Sequence, residues 1–513
     1  MKEDEKTSPK EGMTRRKFVA GSATAAAGIS IVPAHVLAGS GHVPPSDKIN
    51  VAYIGMGTQG LRELPQMITH PEVQVTTICD PQKKAIDYYD WSPTGLLNSM
   101  RDLIGNSKWE TGGNNTIPGG LDNGEQIVNG YYAKVKDKDN KGCKTYTDFR
   151  EMFAKEDGID AVKIMATDHL HGVMAMAAMK KGLHLTMHKP IANRLIEGKK
   201  VIDQATQSSV TTHLIPWESN GDMTPIMAWI EGGVIGKLKE LHNWSHRPVW
   251  PQYTQIPEDK PPLPEGFDWD LWLGPEADRT YHPYYTNMVF RGWYDFGGGA
   301  MADMGHYSLW TVFNALGLEK PTIVEPNFVH VCDIQDNLRA YKIRNDFAYP
   351  LASKVRFRYP ARADRGAVDL YWYDGGIKPS VPDSYYDQSI QWPSEGMMFV
   401  GESGIILTNG FHVRDPFVLE GDMKLAAEIK VQEPPEKPGG VERFVRGVKE
   451  GRQIQGSFRE AWPITEAVNL YGVALRAGTA LKYDPDNLKI TNDDTANGYL
   501  DRSYRPGWEI DKI

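Results

Sequence analysis

The chain has 513 residues and a net charge of −9, and 40% of its residues are hydrophobic, so neither a wholly disordered chain nor a basic nucleic-acid-binding surface is expected. Its 50 glycines and 34 prolines indicate many turns and long loops rather than a helical bundle, and its length predicts about two to four domains. The three cysteines are too few for a disulfide framework, and we expect no metal ion.

The N-terminal segment shows the features of an export signal in their usual order. The pair Arg15-Arg16 precedes a run of 17 uncharged residues, 18–34, which is rich in Ala, Gly, Ser and Thr. Val36-Leu37-Ala38 then places small residues at the positions required for cleavage after the last of them. Residues 1–38 therefore resemble a twin-arginine (Tat) signal peptide, which predicts an exported protein in the periplasm or another extracytoplasmic compartment. The apolar run is shorter than the ~20 residues of a membrane span, so stable membrane insertion is not expected.

A strand, a glycine-rich turn and a helix open the first folded domain at about residue 48. The β-rich run 49–54 leads directly into Gly55-Met56-Gly57-Thr58-Gln59-Gly60, and a helix is predicted over 61–69. In a dinucleotide-binding domain the first glycine permits a tight turn, the second lets the backbone approach a pyrophosphate, and the third lets the helix pack on the strand. The helix N-terminus then faces the phosphates. This order predicts that a dinucleotide is bound by Gly55, Gly57, Thr58, Gln59 and Gly60.

The acidic residue that ends the second predicted strand discriminates between two dinucleotides. The strand covers 73–79, and Asp80 follows it, twenty residues after Gly60. A carboxylate at this position accepts hydrogen bonds from the adenosine ribose and repels a 2′-phosphate, so NAD is the predicted cofactor rather than NADP. The alternative is a glycine turn in another kind of α/β unit, with Asp80 as a surface cap.

The stretch 90–144 has a different composition from its neighbours. It contains Gly112-Gly113-Asn114-Asn115, Pro118-Gly119-Gly120 and a charged run over 134–141, which predicts a long, irregular surface insertion. A decorated loop, a lid and an oligomer contact are the open alternatives for its role. The α/β alternation then resumes, with helices predicted over 148–155 and 168–181 and strands over 161–166 and 184–187.

Three motifs in this later stretch resemble those of a known oxidoreductase family. They are Ala166-Thr167-Asp168-His169-Leu170-His171, Ala177-Ala178-Met179-Lys180-Lys181-Gly182 and His188-Lys189-Pro190-Ile191-Ala192. With the glycine-rich turn, they make residues 48–482 similar to the glucose–fructose oxidoreductase / inositol dehydrogenase / MocA (Gfo/Idh/MocA) family. The resemblance implies an α/β fold with a Rossmann NAD-binding domain over 48–192. A C-terminal substrate and oligomerisation domain over 193–482, built on a large, mostly antiparallel open sheet, is implied as well, with 483–513 as a tail.

The resemblance also implies roles for individual residues. Lys189 matches the family's lysine near the nicotinamide and the substrate, which makes it a candidate for both catalysis and cofactor binding. Asp168 and His171 lie in the matching upstream motif and are expected to bind the cofactor. His188 stands where the family has a glutamate, so the role of that glutamate is in doubt here, and a structural role is favoured for His188.

The second domain has the pattern of an open sheet. Alternating residues over 238–247 predict a strand, and further strands are predicted over 353–359, 367–373, 397–400 and 404–407. Helices are predicted over 441–451 and 461–482. Because helices are expected on one face of such a sheet and the other face is free for a partner subunit, we expect a homo-oligomer. The polar tail from Tyr483 is expected to wrap the surface.

The main chemical cluster follows the glycine run 297–299. The helix that it enters carries Asp303, His306 and Tyr307, whose spacings of three and four put them on one helical face. The family usually shows Asp-x-Gly-x-His here, with the aspartate orienting a histidine that moves the substrate hydroxyl proton. In this sequence the histidine comes one position early and Tyr307 takes its place, so either residue is a candidate base. The candidate sugar contacts are His246, Trp250, Arg291 and Trp293.

These features predict an exported NAD-dependent oxidoreductase that acts on a sugar, polyol or glycoside and recycles a tightly bound cofactor. A first alternative is redox-neutral, NAD-dependent cleavage of a glycoside by oxidation, elimination, addition and reduction, since such relatives share nearly all these residues. A second alternative is a non-catalytic NAD-containing binding protein. The presence of Lys189 and of the cluster around Asp303 favours an enzyme over this second alternative.

Overall fold

The structure is a computed structural model that describes residues 44, 47–110, 115–137, 141–215, 221–386, 392–410, 412–431 and 438–513. The predicted signal peptide, residues 1–38, lies outside the described residues. All elements named below lie within residues 49–513. In the described part of the chain, no helix is long and apolar enough to cross a membrane.

Strands and helices alternate along the first domain. They are β1 (Ile49–Ile54), α1 (Thr58–Ile68), β2 (Val73–Cys79), β3 (Ala85–Tyr89), α2 (Gly95–Ile104), β4 (Thr116–Gly119), α3 (Leu121–Lys134), β5 (Lys144–Tyr146), α4 (Phe149–Lys155), β6 (Ala161–Ile164), α5 (Asp168–Lys180), β7 (His184–His188), α6 (Leu195–Gln207) and β8 (Thr212–Ile215). Six of the strands form a parallel sheet in the order β5-β2-β1-β6-β7-β8. The strands are buried on both faces, as expected of a sheet covered by helices on both sides. The predicted Rossmann domain is therefore present, but it extends past residue 192, since α6 leads to β8, the edge strand that ends at Ile215.

The stretch 90–144 is more regular than its composition suggests. It contains helices α2 and α3, and a short antiparallel ribbon joins β3 to β4. Met100, Ile127 and Val128 are fully buried in the core of this domain, and α3 packs against β2. The prediction of an irregular insertion is thus wrong for these two helices, because the glycine-rich segments and the charged run dominate the composition of the stretch.

The second domain is built on a nine-stranded mixed sheet. Its elements are α7 (Thr224–Glu231), β9 (Leu238–Trp244), α8 (Trp269–Leu273), α9 (His306–Leu316), β10 (Ile323–Phe328), β11 (Cys332–Gln335), β12 (Arg339–Lys342), β13 (Ser353–Tyr359), β14 (Val368–Tyr373), α10 (Asp383–Tyr386), β15 (Gly396–Gly401), β16 (Ile405–Asn409), β17 (Phe417–Glu420), α11 (Met423–Glu428), α12 (Gly440–Glu450), α13 (Trp462–Ala477), β18 (Leu481–Asp484), β19 (Lys489–Ile490) and α14 (Asp494–Asn497). The strand order is β17-β16-β15-β9-β14-β13-β10-β18-β19. Only the β9–β14 pair in this sheet is parallel among the described strands, so the predicted large, mostly antiparallel sheet is confirmed.

The two faces of this sheet differ in what covers them. Along β13, Val355, Phe357 and Tyr359 are fully buried, and the ring of Tyr359 meets the ring of Phe313 in α9. The alternate residue Arg358 points to the opposite face and is exposed. Helices therefore cover one face, as predicted. A homo-oligomer formed through the other face stays a prediction.

The C-terminal tail returns to the first domain instead of only wrapping the surface. Trp508 and Ile510 are buried, and the guanidinium of Arg150 in α4 stacks 4.0 Å from the ring centroid of Trp508. Arg502 is buried as well and lies 3.1 Å from a carboxylate oxygen of Glu197 in α6. The tail therefore packs more deeply than the prediction that it wraps the surface implies. Scattered apolar and aromatic residues within a polar stretch were the signal that this prediction missed.

Candidate active site

A cavity of about 320 Å³ lies outside the carboxyl ends of the parallel strands. In open α/β sheets ligands bind at this position. The first domain lines it with the glycine-rich turn 55–60 and with Asp80, Asp168, His188 and Lys189. The second domain lines it with Arg247, Arg291, Asp303, Met304 and Tyr307. Most of the residues predicted for the cofactor and for catalysis are therefore brought together in one cavity.

The glycine-rich turn is shaped for close approach of a phosphate group. Gly55 has φ +93°, in the left-handed region, and a Cβ there would lie 2.5 Å from the carbonyl oxygen of Met165. A Cβ on Gly60 would collide with the carbonyl oxygen of Gly55. Helix α1 begins at Thr58, so its free N–H groups face the cavity next to the turn. This cradle fits the pyrophosphate of a dinucleotide, and Thr58 and Gln59 line it.

Asp80 lies at the end of β2, as predicted, and it also holds the glycine-rich turn. Its Oδ2 accepts a hydrogen bond from the N–H of Met56 at 2.7 Å, and its Oδ1 accepts one from the N–H of Gln82 at 2.9 Å. Burial raises the pKa of Asp80 to about 6, although these two hydrogen bonds oppose the shift. The Asp80 carboxyl group therefore titrates near pH 6, a pH at which binding can be measured.

Lys189 and Asp303 form the centre of the opposite end of the cavity. The ammonium group of Lys189, which follows β7, donates to Oδ1 of Asp303 at 3.0 Å and also to the backbone carbonyl of Asp303. Burial lowers the pKa of Lys189, while the charge of Asp303 opposes that shift. Burial disfavours the charged form of Asp303 too, but Lys189, Arg291 and Arg247 outweigh it and hold the pKa of Asp303 well below its usual range. Asp303 is thus an anion surrounded by cations.

Tyr307, and not His306, reaches the cavity. The Tyr307 hydroxyl lies 3.0 Å from Nε2 of His188, and the ammonium of Lys189 lies 5.1 Å from the centroid of the Tyr307 ring. His306 is fully buried in the second domain, where burial lowers its pKa to about 3. The structure therefore favours Tyr307 over His306 as the candidate base.

The local helix geometry explains this outcome. Residues Met301–Gly305 form a π-helical turn, with i→i+5 hydrogen bonds, before the regular helix α9 begins. The wider turn changes the angular spacing on which the prediction of a single helical face relied. Asp303 and Tyr307 consequently line the cavity, whereas His306 does not.

His188 is the catalytic candidate that sequence reasoning undervalued. It lines the cavity, it is buried, and its Nε2 faces the Tyr307 hydroxyl. Burial lowers the pKa of His188 well below its ordinary value, and the charge of Lys189 adds to the effect. The imidazole is therefore neutral, with a lone pair on one ring nitrogen, and it is a weak base. The sequence feature that could have indicated a catalytic role for His188 is its replacement of the family's glutamate at this position.

Asp168 and His171, both predicted to bind the cofactor, differ in their positions. Oδ2 of Asp168 accepts a hydrogen bond from the N–H of Gly298 at 3.2 Å, and Asp168 lines the cavity. His171 lies behind the wall, with its ring nitrogens 2.6 Å from the carbonyl oxygen of Pro190 and 2.9 Å from that of Ala166. His171 therefore fixes two loops that border the cavity, and it does not line the cavity itself.

Of the four predicted sugar contacts, only Arg291 lines the cavity. Trp293 is buried and stacks on Tyr253 with a centroid distance of 4.2 Å, and Trp250 is buried close to Gly292. His246 is half exposed and lies 3.0 Å from a carboxylate oxygen of Glu395. The structure therefore does not place these three residues in the cavity, because the two tryptophans pack in protein cores and His246 pairs with Glu395. Their contact with a substrate stays a prediction.

Arg247 and Trp91 are two of the cavity residues that were not predicted from the sequence. Both line the cavity, and the guanidinium of Arg247 lies 5.8 Å from the ring centroid of Trp91. Arg247 comes directly after the histidine that was chosen as a sugar contact. Its place at the end of a predicted strand was the available signal.

Two family models match the chain. Residues 225–342 and 422–510 match the model described as the oxidoreductase family, C-terminal alpha/beta domain (GFO_IDH_MocA_C2). Residues 125–215 match the model described as the oxidoreductase family, NAD-binding Rossmann fold (GFO_IDH_MocA). The Rossmann match extends past the predicted boundary at 192, and the C-terminal match extends past 482 into the stretch predicted as a tail.

Similar individual proteins include a curated relative and several solved structures. Levoglucosan dehydrogenase of Pseudarthrobacter phenanthrenivorans is 31% identical over 114 residues, which are 20% of this chain and 28% of that relative, so the chain spans less than a third of its length. The WlbA dehydrogenase of Bordetella pertussis, solved with NADH and UDP-GlcNAcA, is 14% identical with a TM-score of 0.48, over 85% of this chain and 99% of that one. Levoglucosan dehydrogenase, solved with NADH and L-sorbose, is 14% identical with a TM-score of 0.45 over the same shares.

Proposed function

Because the chain belongs to the Gfo/Idh/MocA oxidoreductase family and has its NAD-binding Rossmann domain, we propose that it is an NAD-dependent oxidoreductase acting on a sugar, polyol or glycoside. One observation carries the proposal. A single cavity has a phosphate cradle at one end and the buried group of Lys189, Asp303, Tyr307 and His188 at the other. A non-catalytic protein that only binds NAD does not require a buried ammonium group beside a hydroxyl–imidazole pair.

The residues that hold the cofactor follow from the geometry of the cradle. The turn 55–60 and the N-terminus of α1 bind the pyrophosphate, and Asp80 accepts hydrogen bonds from the adenosine ribose. When bound, NAD supplies the acceptor for the hydride that leaves the carbinol carbon of the substrate. The remaining chemistry, which is the movement of the hydroxyl proton, falls to side chains of this chain.

Lys189 acts on the reacting oxygen. Its ammonium group is buried and is held in place by Asp303, whose Oδ1 is 3.0 Å away. A fixed positive charge in a buried site stabilises the negative charge that develops on a carbinol oxygen as its proton departs. Asp303 keeps the ammonium charged and oriented. Arg291, with Nε 3.1 Å from the same carboxylate oxygen, supports that arrangement.

Tyr307 and His188 move the proton. The Tyr307 hydroxyl accepts the proton of the substrate hydroxyl as it gives its own proton to Nε2 of His188, 3.0 Å away. Burial lowers the pKa of His188, so the imidazole is neutral and has a ring-nitrogen lone pair for the proton. The same lowered pKa makes it a weak base that must pass the proton on. The ammonium of Lys189, near the Tyr307 ring, stabilises negative charge on the phenolic oxygen during the transfer. Sugar reduction follows the same path in reverse.

The decisive experiment is incubation of the purified protein with a panel of sugars, polyols and glycosides. NADH absorbance and products are followed together. An oxidised sugar formed with NADH supports the proposal. Cleaved glycoside without net NADH identifies the redox-neutral reaction instead, and binding without any product identifies a non-catalytic NAD-containing protein.

We also propose that the protein is exported with NAD already bound, on the strength of the twin-arginine motif, since that route carries folded proteins. Outside the cytoplasm free NAD is scarce, so a freely exchanging cofactor would stop the enzyme after one turnover. Retention through export requires a Kd of about nanomolar or below, near −12 kcal/mol. Regeneration in place requires either two substrates used alternately or an internal oxidation–reduction cycle.

Retention is tested by purifying the protein without added nucleotide, denaturing it and measuring the NAD released per protein chain. We expect close to one NAD per chain. A nucleotide-free protein that turns over only with stoichiometric added NAD, and that releases free NADH, contradicts the proposal.

A further inference from the structure

The substrate end of the cavity carries more positive than negative charge. Among the described residues that line this end, the cations are Lys189, Arg247 and Arg291, and the carboxylates are Asp168 and Asp303. Even with both carboxylates ionised, one positive charge is left over. His188, which also lines this end, stays neutral and adds no charge.

Asp303 does not satisfy the hydrogen-bonding capacity of the two arginines. Its Oδ2 lies 3.6 Å from Nε of Arg247, beyond hydrogen-bond range. Its Oδ1 lies 3.1 Å from Nε of Arg291 and 3.0 Å from Nζ of Lys189, so one oxygen is shared between two cations. Within the described part of the chain, Nε of Arg247 and Nε of Arg291 are both buried without a hydrogen-bond partner. Both side chains are nevertheless about one-fifth exposed, at 21% and 18%, so a ligand can reach them.

An aromatic ring lies within cation–π range of each guanidinium group. The guanidinium carbon of Arg247 lies 5.8 Å from the centroid of Trp91, and that of Arg291 lies 4.5 Å from the centroid of Phe290. An arginine restrained in this way has lost side-chain freedom before a ligand arrives, and its planar fork matches a carboxylate or sulfate. A neutral hydroxyl group would leave buried donors poorly satisfied, which is costly.

The positions of these arginines assign them to the substrate rather than to the cofactor. Both come from the second domain and surround Asp303, whose partner Lys189 acts on the reacting oxygen. The phosphate cradle, in contrast, is formed by 55–60 and the N-terminus of α1 in the first domain. A group that reaches both arginines is therefore a substituent of the molecule that Lys189 contacts.

We propose that the substrate is an anionic sugar, whose carboxylate or sulfate ester is bound by Arg247 and Arg291. This inference rests on the proposed function and narrows its substrate class. Charge-assisted hydrogen bonds contribute about 1.5–3 kcal/mol each, which corresponds to roughly tenfold to a hundredfold in affinity.

Matched pairs of ligands test this without turnover. Calorimetric titration of the NAD-loaded protein compares the methyl glycosides of glucose, galactose and mannose with the methyl glycosides of the three corresponding uronic acids. The three 6-sulfated sugars form a second arm, which separates a carboxylate site from a sulfate site. We expect at least one anionic ligand to bind about tenfold or more tightly than its neutral counterpart. Equal affinities within every pair overturn the proposal.

Three variants test whether Arg247 and Arg291 cause the preference for anionic ligands. Arg247→Gln and Arg291→Gln are expected to reduce the preference for the anionic ligand to about threefold or less while bound NAD stays at the wild-type level. Arg358→Gln removes an exposed positive charge from β13, outside the cavity, and is expected to retain the full preference. A preference that survives in both cavity variants, or a loss of bound NAD that accompanies either one, contradicts the assignment.

The same titrations distinguish failure of this inference from failure of the proposed function. Selective anion binding that depends on Arg247 and Arg291, with no NADH or product from any ligand, supports the anion site and contradicts the oxidoreductase. NADH formed equally from neutral and anionic sugars supports the oxidoreductase and contradicts the anion site.

Discussion

The two ends of the cavity are built in different ways. The cofactor end consists of six consecutive residues, 55–60, with Asp80 bonded to the backbone of the turn at 2.7 Å. The substrate end combines side chains from 188–189, 247, 291 and 303–307, which meet only when both domains have folded. A continuous motif encodes its own geometry, whereas a site assembled from distant segments depends on the helices and strands that carry each part.

The cofactor end gives the largest expected effect. In Gly60→Ala the new Cβ collides with the carbonyl oxygen of Gly55, so the turn cannot keep its shape and bound NAD is expected to fall below detection. The nucleotide released on denaturation measures this. Gly158→Ala is the matched control, since a Cβ there meets no described atom within 4 Å and bound NAD is expected to stay at the wild-type level. Normal NAD content in Gly60→Ala would show that the cradle tolerates a side chain and that its assignment is wrong.

At the substrate end, Tyr307→Phe removes the hydroxyl that faces His188. General acid–base catalysis contributes about 10²–10⁴-fold, so kcat is expected to fall by about that factor while NAD stays bound. Steady-state kinetics with a substrate from the panel measure the change. His306→Asn is expected to lower the melting temperature, because His306 is a core residue, and to leave kcat of the folded enzyme within about threefold. The reverse ranking of the two variants would return the role of base to His306.

Lys189→Ala removes one fixed positive charge next to the reacting oxygen. Loss of one such stabilising group typically costs ~10²–10³-fold in kcat, with cofactor binding preserved. Lys163→Ala is a matched control, because the Lys163 side chain is equally buried, at 2% exposure, and pairs with Glu63 outside the cavity. It is expected to lower stability without reducing kcat of the folded protein. Near-wild-type turnover in Lys189→Ala would contradict the mechanism.

The smallest expected effect concerns the choice between NAD and NADP. Titration of both dinucleotides should show that Asp80→Asn weakens the preference for NAD by about tenfold, because the repulsion of a 2′-phosphate is lost. The pKa of Asp80 is raised to about 6, so the carboxylate is charged above pH 6 and the preference declines as the pH falls through that value. Since the 2′-phosphate also titrates near pH 6, the pH dependence of Asp80→Asn serves as the baseline. Tighter binding of NADP than of NAD by the unmodified protein would reject the assignment.

The difference between the two ends also explains what could be predicted from the sequence. The glycine-rich turn and Asp80 were recognisable because their contacts are local and their spacing is fixed. The choice between His306 and Tyr307 depended on the π-helical turn Met301–Gly305, for which regular helical spacing is no guide.

Burial was the second limit on prediction. Aromatic residues chosen as sugar contacts, Trp250 and Trp293, are packed against other parts of the protein, which composition does not reveal. Arg247 and His188 were undervalued because they line the cavity and are not buried away from it. Their contacts are with residues more than a hundred positions away or in the other domain, which the local sequence does not show. Fold class, which depends on many periodic segments at once, was the most predictable property.

The central claim is that this cavity transfers a hydride from a carbinol carbon to NAD while Lys189 and Tyr307 control the hydroxyl proton. A substrate from the panel, deuterated at the carbon that bears the oxidised hydroxyl, tests it in a single turnover with mass analysis of the nicotinamide. We predict NADH that carries one deuterium in the unmodified enzyme, formed ~10²-fold or more slowly in Tyr307→Phe and Lys189→Ala. NADH without deuterium, or no NADH from any substrate that binds the NAD-loaded protein, would contradict the claim.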